Sequence, residues 1–338
     1  MKIAIYNKSE GFSTRWVEYC ERNGIPYKLV NPYKSDIIDQ VKDCGAFMWH
    51  HSHSDHRDVL FAKQLIFSLE AVGVKCFPNS HTTWHFDDKI GQKYLLEAIG
   101  APFVPSYVFY TKEEALDWVT QTTFPKVFKL RGGAGASNVK LVSTEQKAKR
   151  MIRKAFGRGF TQFDRIEYFK ERYRKWKEGK DSFLGVLKGM GRLVVVTDFA
   201  KMRCKERGYV YFQDFIPNNE FDIRVCVVGN KAFAIKRMTR KNDFRASGSG
   251  DIIYQKTQID ERCVDISFKV NQKLKAQSVA FDFVFDQKNK PLIVEMSYGY
   301  AVNAYDSCEG YWTDDMQWHE GPHFDFCGWM VKAVSDSF

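Results

Sequence analysis

Between residues 2 and 77 short apolar runs alternate with stretches whose apolar residues recur every three or four positions. The runs at 2–6, 27–30, 46–49 and 74–77 have strand length and composition. Segments 13–22, 35–41 and 57–71 carry helical spacing, and Asn23-Gly24 ends the first. This β-α-β-α-β order predicts a parallel sheet with helices on both faces. No G-x-G-x-x-G follows the first strand, which argues against a dinucleotide site. Asp87-Asp88-Lys89 then opens a helix to about residue 99, its acids placed where a helix N-terminus favours them.

After Gly100, Pro102 and Pro105 the pattern changes. A strand at 107–110, a helix at 112–119 and a helix at 144–156 surround FPKVFKLRGGAGASNVKLV, residues 124–142. This stretch reads as strand, glycines, strand. A loop of this kind lets backbone N–H groups close on an anion. The lysine, Lys129, precedes the glycines and a strand follows them. The segment therefore predicts a hairpin flap rather than a loop feeding a helix, which requires Lys and Ser/Thr after the glycines. A plain hairpin turn with a surface lysine fits equally well.

Residues 157–208 form a basic insertion. Phe160, Phe163, Ile166, Phe169, Tyr173 and Trp176 fall at steps of three or four, with Arg and Lys filling much of the remainder. The pattern predicts an amphipathic helix. Its basic face is a solvated surface, or a contact for an anionic substrate or a membrane surface. It shows no RNA-binding module signature, and no nucleic-acid partner is expected.

From residue 209, YVYFQDFIPNNEFDIRVCVVGNKAFAIKRMTR reads as three strands broken at Pro217-Asn218-Asn219 and at Gly229-Asn230. Asp222 and Arg224 lie two apart on one strand and share a face. Strands at 279–285 and 291–296 form a hairpin carrying Asp282 and Glu295 within apolar sequence. Two carboxylates so placed are costly unless paired or metal-bound. Mg²⁺ beside a polyphosphate suits them, since it takes one or two carboxylates plus phosphate oxygens. Salt bridges to Arg224 or Arg237 suit them equally.

Composition narrows the class. The chain has 338 residues, 44% hydrophobic and 27% charged, with a net charge of +10 that favours anionic ligands. Its length predicts two or three domains. The eight cysteines form no C-x-x-C and no zinc spacing, and read as reduced and structural. The N-terminus lacks a signal-peptide pattern and no apolar run approaches membrane-spanning length, so a cytoplasmic location is expected. His50, His51, His53 and His56 follow the third strand, where ligands of open parallel sheets bind. A substrate loop, a merely polar loop and an irregular metal site remain open there.

In order, Asp88-Lys89, FPKVFKLRGGAGASNV, YFQDFIPNNEFDIRVCVVG, IKRMTRKNDFRASGSGD and FDFVFDQKNKPLIVEMS resemble the ATP-grasp superfamily. The resemblance spans nearly the whole chain. It is strongest to the ligases that join glutamate to ribosomal protein S6 and their relatives. It implies an N-terminal parallel-sheet α/β domain (1–86) followed by two α+β lobes clamping ATP. The central lobe is 87–214, with its linking helix and the insertion 157–208; the C-terminal lobe is 215–338. It implies that Lys89 and Lys129 contact phosphate and that Gly132, Gly133, Gly135, Ala136 and Ser137 close over the β/γ end. Gln213, Asp214, Phe215 and Ile216 would read adenine, and Glu220, with Asp222 as rival, the ribose. Lys236 would join the nucleotide contacts, while Arg224, Arg237 and Arg245 would act at the transferring phosphoryl group. Asp282 and Glu295 would hold one or two Mg²⁺, with Mn²⁺ an allowed substitute. Where the superfamily usually has Glu-x-Asn, this chain has Glu295-Met296-Ser297, so Ser297 is a weaker candidate ligand and water or Asn303 an alternative.

The implied chemistry is carboxylate–amine ligation through an acyl phosphate. The aromatic and acidic tail, 298–329, reads either as packing against the C-terminal domain or as rings and carboxylates that suit sugar rings, and it resembles ATP-grasp proteins encoded with bacterial surface-polysaccharide genes. That suggests an amide between a uronic-acid sugar carboxylate, free or nucleotide- or lipid-linked, and an amino acid or amine. A peptide-modifying ligase, a phosphotransferase and a non-catalytic ATP-binding regulator are the alternatives. A homodimer is an allowed assembly.

Overall fold

The computed structural model describes the chain except Met1, Ser9, Glu10 and residues 133–137, 162–168, 170, 171, 174, 175, 177–181, 183–204, 241, 242, 247–249 and 336–338. The chain divides into two compact units, Met1–Val104 with Ile216–Phe338, and Pro105–Phe215. Among the described residues no helix is long and apolar enough to cross a membrane.

The first unit begins with β1 (Lys2–Ile5), α1 (Phe12–Arg22), β2 (Tyr27–Leu29), α2 (Ile37–Val41), β3 (Cys44–Met48), α3 (His56–Ala71) and β4 (Lys75–Phe77). All four strands are parallel, in the order β2-β1-β3-β4, as the alternating pattern predicts. Period-two alternation divides their side chains. Ile3, Ile5, Ala46, Met48 and Phe77 enter the core that holds α1, whereas Ala4, Phe47 and Cys76 enter the core that holds α2 and α3. A short helix, α4 (Ser80–Thr83), and then α5 (Lys89–Ala98) follow. The Asp88 side chain caps α5 by accepting from the Gly91 N–H at 2.9 Å. Sequence reading groups this helix with the central lobe; it instead belongs to the first unit, where its Leu96 enters the core of the C-terminal sheet.

The second unit is a four-stranded antiparallel sheet built from β5 (Ser106–Phe109), β6 (Lys126–Lys129), β7 (Val139–Val142) and β8 (Val210–Asp214), ordered β5-β8-β6-β7. Two helices, α6 (Lys112–Gln121) and α7 (Glu145–Ala155), contribute Ala115, Val119, Ala148 and Ile152 to the core against Phe128 and Phe212. Thr111 and Thr144 cap them. β6 and β7 are the hairpin expected around the glycines. An antiparallel bridge between Phe160 and Glu206 marks the base of the basic insertion. The insertion itself lies largely outside the described residues; Phe169, Arg172, Tyr173 and Trp176 within it are helical.

Returning to the first unit, β9 (Phe221–Val228), β10 (Lys231–Met238), β11 (Ile252–Ile253), α8 (Glu261–Leu274), β12 (Ser278–Phe285), β13 (Pro291–Ser297), β14 (Gly310–Thr313), β15 (Trp318–Glu320) and α9 (Phe326–Ser335) complete the chain. The seven strands form one sheet, β13-β12-β9-β10-β14-β15, with β11 also on β10. One face packs on α8 through Val225, Val227, Ala234, Phe281 and Phe283. The other carries Cys226, Val228, Phe233, Ile235 and Ala280 into the core shared with α1, α9, Tyr300 and Tyr305. The tail's aromatic side chains are thus core material: Tyr300, Tyr305, Trp312 and Phe326 are buried, and Tyr311, Trp318, Phe324 and Trp329 pack against the cores, while much of the chain between them is exposed.

Candidate functional site

On that second face the side chains turn from apolar to charged along three neighbouring strands. Along β9 the order is Val228, Cys226, Arg224, Asp222; along β10, Phe233, Ile235, Arg237; along β12, Ala280, Asp282. Register aligns them: Arg224 faces Asp282, Asp222 faces Arg237, and Asp282 faces Glu295 on β13. Residues directly opposite in a ladder share a face. Five charged side chains from four adjacent strands therefore gather at one end of the sheet.

Their pairing is close. The Arg224 guanidinium donates from Nε to Asp282 Oδ1 at 2.6 Å and from Nη2 to Oδ2 at 2.7 Å. Arg237 makes the same two-pronged contact with Asp222, at 2.6 and 2.5 Å, and reaches Asp282 Oδ2 at 3.0 Å. Burial pushes the Asp282 carboxyl up, but the two guanidinium groups overcome it and hold the group below the usual carboxylate range. At Asp222 burial wins over the single close partner, and proton affinity rises. Lys89, buried at the start of α5, lies 3.2 Å from Glu295 Oε1. Burial opposes its charge, yet Glu295 and Asp87 outweigh it and hold the ammonium above its ordinary range.

Asp282 thus meets the ion-pair alternative left open by the sequence, with both arginines, whereas Glu295 pairs with Lys89 instead. The two carboxylates also suit a divalent cation: two hard oxygen donors stand opposite on one face, and Asp282 stays ionised. Among the described residues no group of three or more His, Cys, Asp or Glu is arranged to hold a metal ion. An ion at these two carboxylates would take its other ligands from phosphate and water. Ser297 lies on the same face, its hydroxyl oxygen accepting from the Gly299 N–H at 3.1 Å. The Asn303 amide oxygen accepts from Arg15 at 3.1 Å, so this alternative ligand is held toward α1.

The remaining candidates sort by strand alternation. Lys236, adjacent to Arg237, projects to the opposite face, where its ammonium lies 4.0 Å from the Phe221 ring centroid and 3.2 Å from Gln258 Oε1. The structure does not bring it to the charged cluster. Arg245 binds Asp243 locally, at 2.6 Å for the shortest contact. Glu220 is exposed just ahead of β9, while Asp222, its rival, has both carboxylate oxygens on Arg237.

Within the second unit, Lys129 faces Tyr211, and Val127 faces Gln213. Lys129 and Gln213 consequently share the sheet face opposite the one that meets α6 and α7. Both are buried, and Gln213 donates to Ser106 Oγ at 3.1 Å. Asp214 points to the other face and accepts from Lys126 at 2.6 Å. Phe215 and Ile216 follow β8, and the division between units falls between them. Gly132 follows Arg131, whose N–H donates to the Tyr209 hydroxyl oxygen at 2.7 Å. Gly133, Gly135, Ala136 and Ser137 lie outside the described residues.

A second concentration of polar groups stands at the C-terminal ends of β1 and β3. A cavity of about 740 Å³ is lined by Lys8, His50, His51, Ser52, His53, Ser54, Asp55, His56, Arg57, Phe86 and Gly299–Ala301. Its histidine loop is anchored: Asp58 is buried and accepts from the Ser52 N–H at 2.6 Å and from the Tyr33 hydroxyl. His51 Nε2 bonds Thr83 Oγ1 at 2.6 Å. His50 Nδ1 accepts from the Phe12 N–H at 3.4 Å. Burial pushes His50 down to about 3. Sequence reading marks the histidines but not Lys8, Phe86 or Tyr300; the position of Lys8 just after the first strand was the available signal.

With the geometry in place, the comparisons are specific. Residues 200–309 match the RimK-like ATP-grasp domain, and residues 88–184 match the carbamoyl-phosphate synthase L chain, ATP binding domain. No curated protein matches the chain. Solved structures do. A RimK domain ATP-grasp protein from Sphaerobacter thermophilus is similar at 14% identity, covering 99% of this chain and 100% of that one, TM-score 0.59. Biotin carboxylase from Campylobacter jejuni is similar at 13% identity, covering 98% and 70%, TM-score 0.61. D-alanine–D-alanine ligase from Bacillus anthracis, complexed with ATP, is similar at 14% identity, covering 90% and 88%, TM-score 0.54. At these identities the structures establish the fold. Residues 200–309 are thus similar to a RimK-like ATP-grasp domain, and the chain has the fold of these ATP-grasp structures.

Proposed function

We propose that this chain is an ATP-dependent carboxylate–amine ligase that forms an amide through an acyl phosphate. The observation that carries the reading is the charged end of the sheet, Arg224, Arg237, Asp222, Asp282 and Glu295 with Lys89, lying mostly within the RimK-like match. On this reading Lys89 and Lys129 contact phosphate, Gln213 to Ile216 contact adenine, and Glu220 contacts ribose. Arg224 and Arg237 face the transferring phosphoryl group. The acid's carboxylate oxygen attacks the γ-phosphorus, and ADP leaves. The amine then attacks the acyl carbon, phosphate leaves, and the nitrogen loses a proton. Charge spreads over three phosphoryl oxygens in the first transition state, so fixed cations contribute most. Mg²⁺ held by Asp282 and Glu295 would add Lewis-acid neutralisation of the polyphosphate.

The acid in this proposal is a uronic-acid-type sugar carboxylate, and the setting surface-polysaccharide biosynthesis. The resemblance of the tail and the polar cavity beside the histidine loop support that choice. Coupled ADP release decides it: uronic acids, UDP-uronic acids and short peptides are screened against amino acids, with mass detection of the condensed product. ADP release that requires both an acid and an amine supports ligation. Release with one acceptor and no amine marks a phosphotransferase. ATP binding without turnover across the panel marks a regulator.

A further inference from the structure

The positive charge of this chain is confined to one of its two units. Residues 105–215 carry 24 Lys and Arg against 12 Asp and Glu, a net of +12, whereas the rest of the chain carries 27 against 29, a net of −2. Within the second unit the excess is concentrated again. The insertion 157–208 holds 14 basic residues against 7 acidic ones, and α7 holds 5 against 1.

A nucleotide site does not account for this charge. Lys129 and Gln213 lie on the sheet face opposite the one that meets α6 and α7, so α7 stands behind the sheet from them. On α7, Ala148, Ile152 and Ala155 are buried in the core against the sheet, and Lys147, Arg150 and Arg153 are exposed on the far side, as the helical period requires. The one acid of the helix, Glu145, is paired with Lys149 at 2.6 Å. The helix leads directly into the root of the insertion. There Lys154 lies 4.3 Å from the Phe160 ring centroid, Phe160 bridges Glu206, and Arg158, Lys205 and Arg207 are exposed.

The insertion adds an apolar component to this basic surface. Phe169, Tyr173 and Trp176 stand at i, i+4 and i+7 of a helix, with successive ring centroids 6.4 and 5.8 Å apart. Tyr173 is 41% exposed and Trp176 39%. Rings that lean on one another in this way form a continuous apolar stripe rather than separate platforms for bases. Trp and Tyr beside Lys and Arg suit the edge of a bilayer, the rings at headgroup depth and the cations at anionic lipid phosphates.

We infer that the outer face of α7 and the insertion rooted at its end dock the chain on an anionic membrane surface, with Lys147, Arg150 and Arg153 at lipid phosphates and Tyr173 and Trp176 in the headgroup layer. This goes beyond the ligase reading and does not depend on it. Co-sedimentation of the full chain with vesicles tests it, comparing phosphatidylcholine alone with phosphatidylcholine containing roughly one-third phosphatidylglycerol. Two variants accompany the parent: Lys147→Gln, Arg150→Gln and Arg153→Gln combined, and Tyr173→Ala with Trp176→Ala. All five side chains are exposed, and an unchanged melting temperature certifies folding. Expected is binding to the anionic vesicles alone, weakened about tenfold or more by the triple variant and severalfold by the double one. Raising NaCl from about 0.1 M to about 0.5 M should release the chain. ATP affinity of the triple variant, measured by calorimetry, should equal that of the parent. Equal binding to both kinds of vesicle, binding to neither, or anionic-vesicle binding that neither variant weakens overturns the assignment. Retention on poly(U) RNA without vesicle binding overturns it in favour of nucleic acid. Vesicle docking by a chain that releases no ADP with any acid and amine overturns the ligase reading and leaves the docking surface standing.

Discussion

Arg224 has one partner of opposite charge directly across the ladder, Asp282, and both of its contacts there are under 3 Å. In the proposed reaction this geometry fixes a planar cation where phosphoryl charge develops. Arg224→Ala should lower kcat by roughly 10²–10³, the range observed for removing a preorganised donor. Arg224→Lys keeps the charge and loses the two-pronged fork, so it should recover only part of the rate. Steady-state ADP release checks both, and unchanged turnover in Arg224→Ala would remove the residue from the mechanism. Much of this site was legible in the sequence. Asp222 and Arg224, two apart on an apolar strand, had to share a face. Which carboxylate each arginine meets was not legible, because register between β9, β10 and β12 is set by distant pairing. Lys236 shows a local rule outweighing a motif: one step from Arg237 on a strand, it must point to the other face.

At the scale of elements, the N-terminal strands and helices stand close to where hydrophobic period places them, because α1 and α3 are long enough to show their own repeat and the short apolar runs between are set off by polar and turn residues. The tail does not behave that way. Its aromatics recur at irregular steps, and only the sheet they join decides which are buried. β14 and β15 extend the seven-stranded sheet, and Trp312 is buried against the core that holds α8. Gly310, the first residue of β14, permits this hairpin: a Cβ there would lie 2.2 Å from the His319 carbonyl oxygen and 2.7 Å from the Trp318 ring. The nearest obstacle is backbone, so the strands themselves would have to separate. Gly310→Ala should therefore destabilise by about 1–3 kcal/mol, the usual magnitude for overpacking. Urea unfolding measures it. A midpoint equal to that of the parent would show that the hairpin tolerates a wider spacing.

For the whole molecule, acid sensitivity should be divided as the fold is. All eight histidines lie outside residues 105–215, so the first unit carries every one of them. Burial holds three of them neutral: His50 is pushed down to about 3, His85 to about 4, and His51 well below its ordinary value. In the unfolded chain each takes up a proton near pH 6.5. A depressed basic group contributes stability that is full above its unfolded pKa and is lost as pH falls toward its folded pKa. From pH 7.5 to 5 the unfolded state therefore binds more protons than the folded one, and stability declines by about 2 kcal/mol per buried histidine. Segment-resolved hydrogen exchange reads this directly. Amides of β1, β3, β9 and β12 should lose protection across that interval after correction for the intrinsic pH dependence of exchange. Those of β6 and β8, in a unit without histidine, should keep theirs. Uniform loss across both units would mean that they unfold as one cooperative body, and protection unchanged in the first unit would mean that its histidines find proton acceptors on folding.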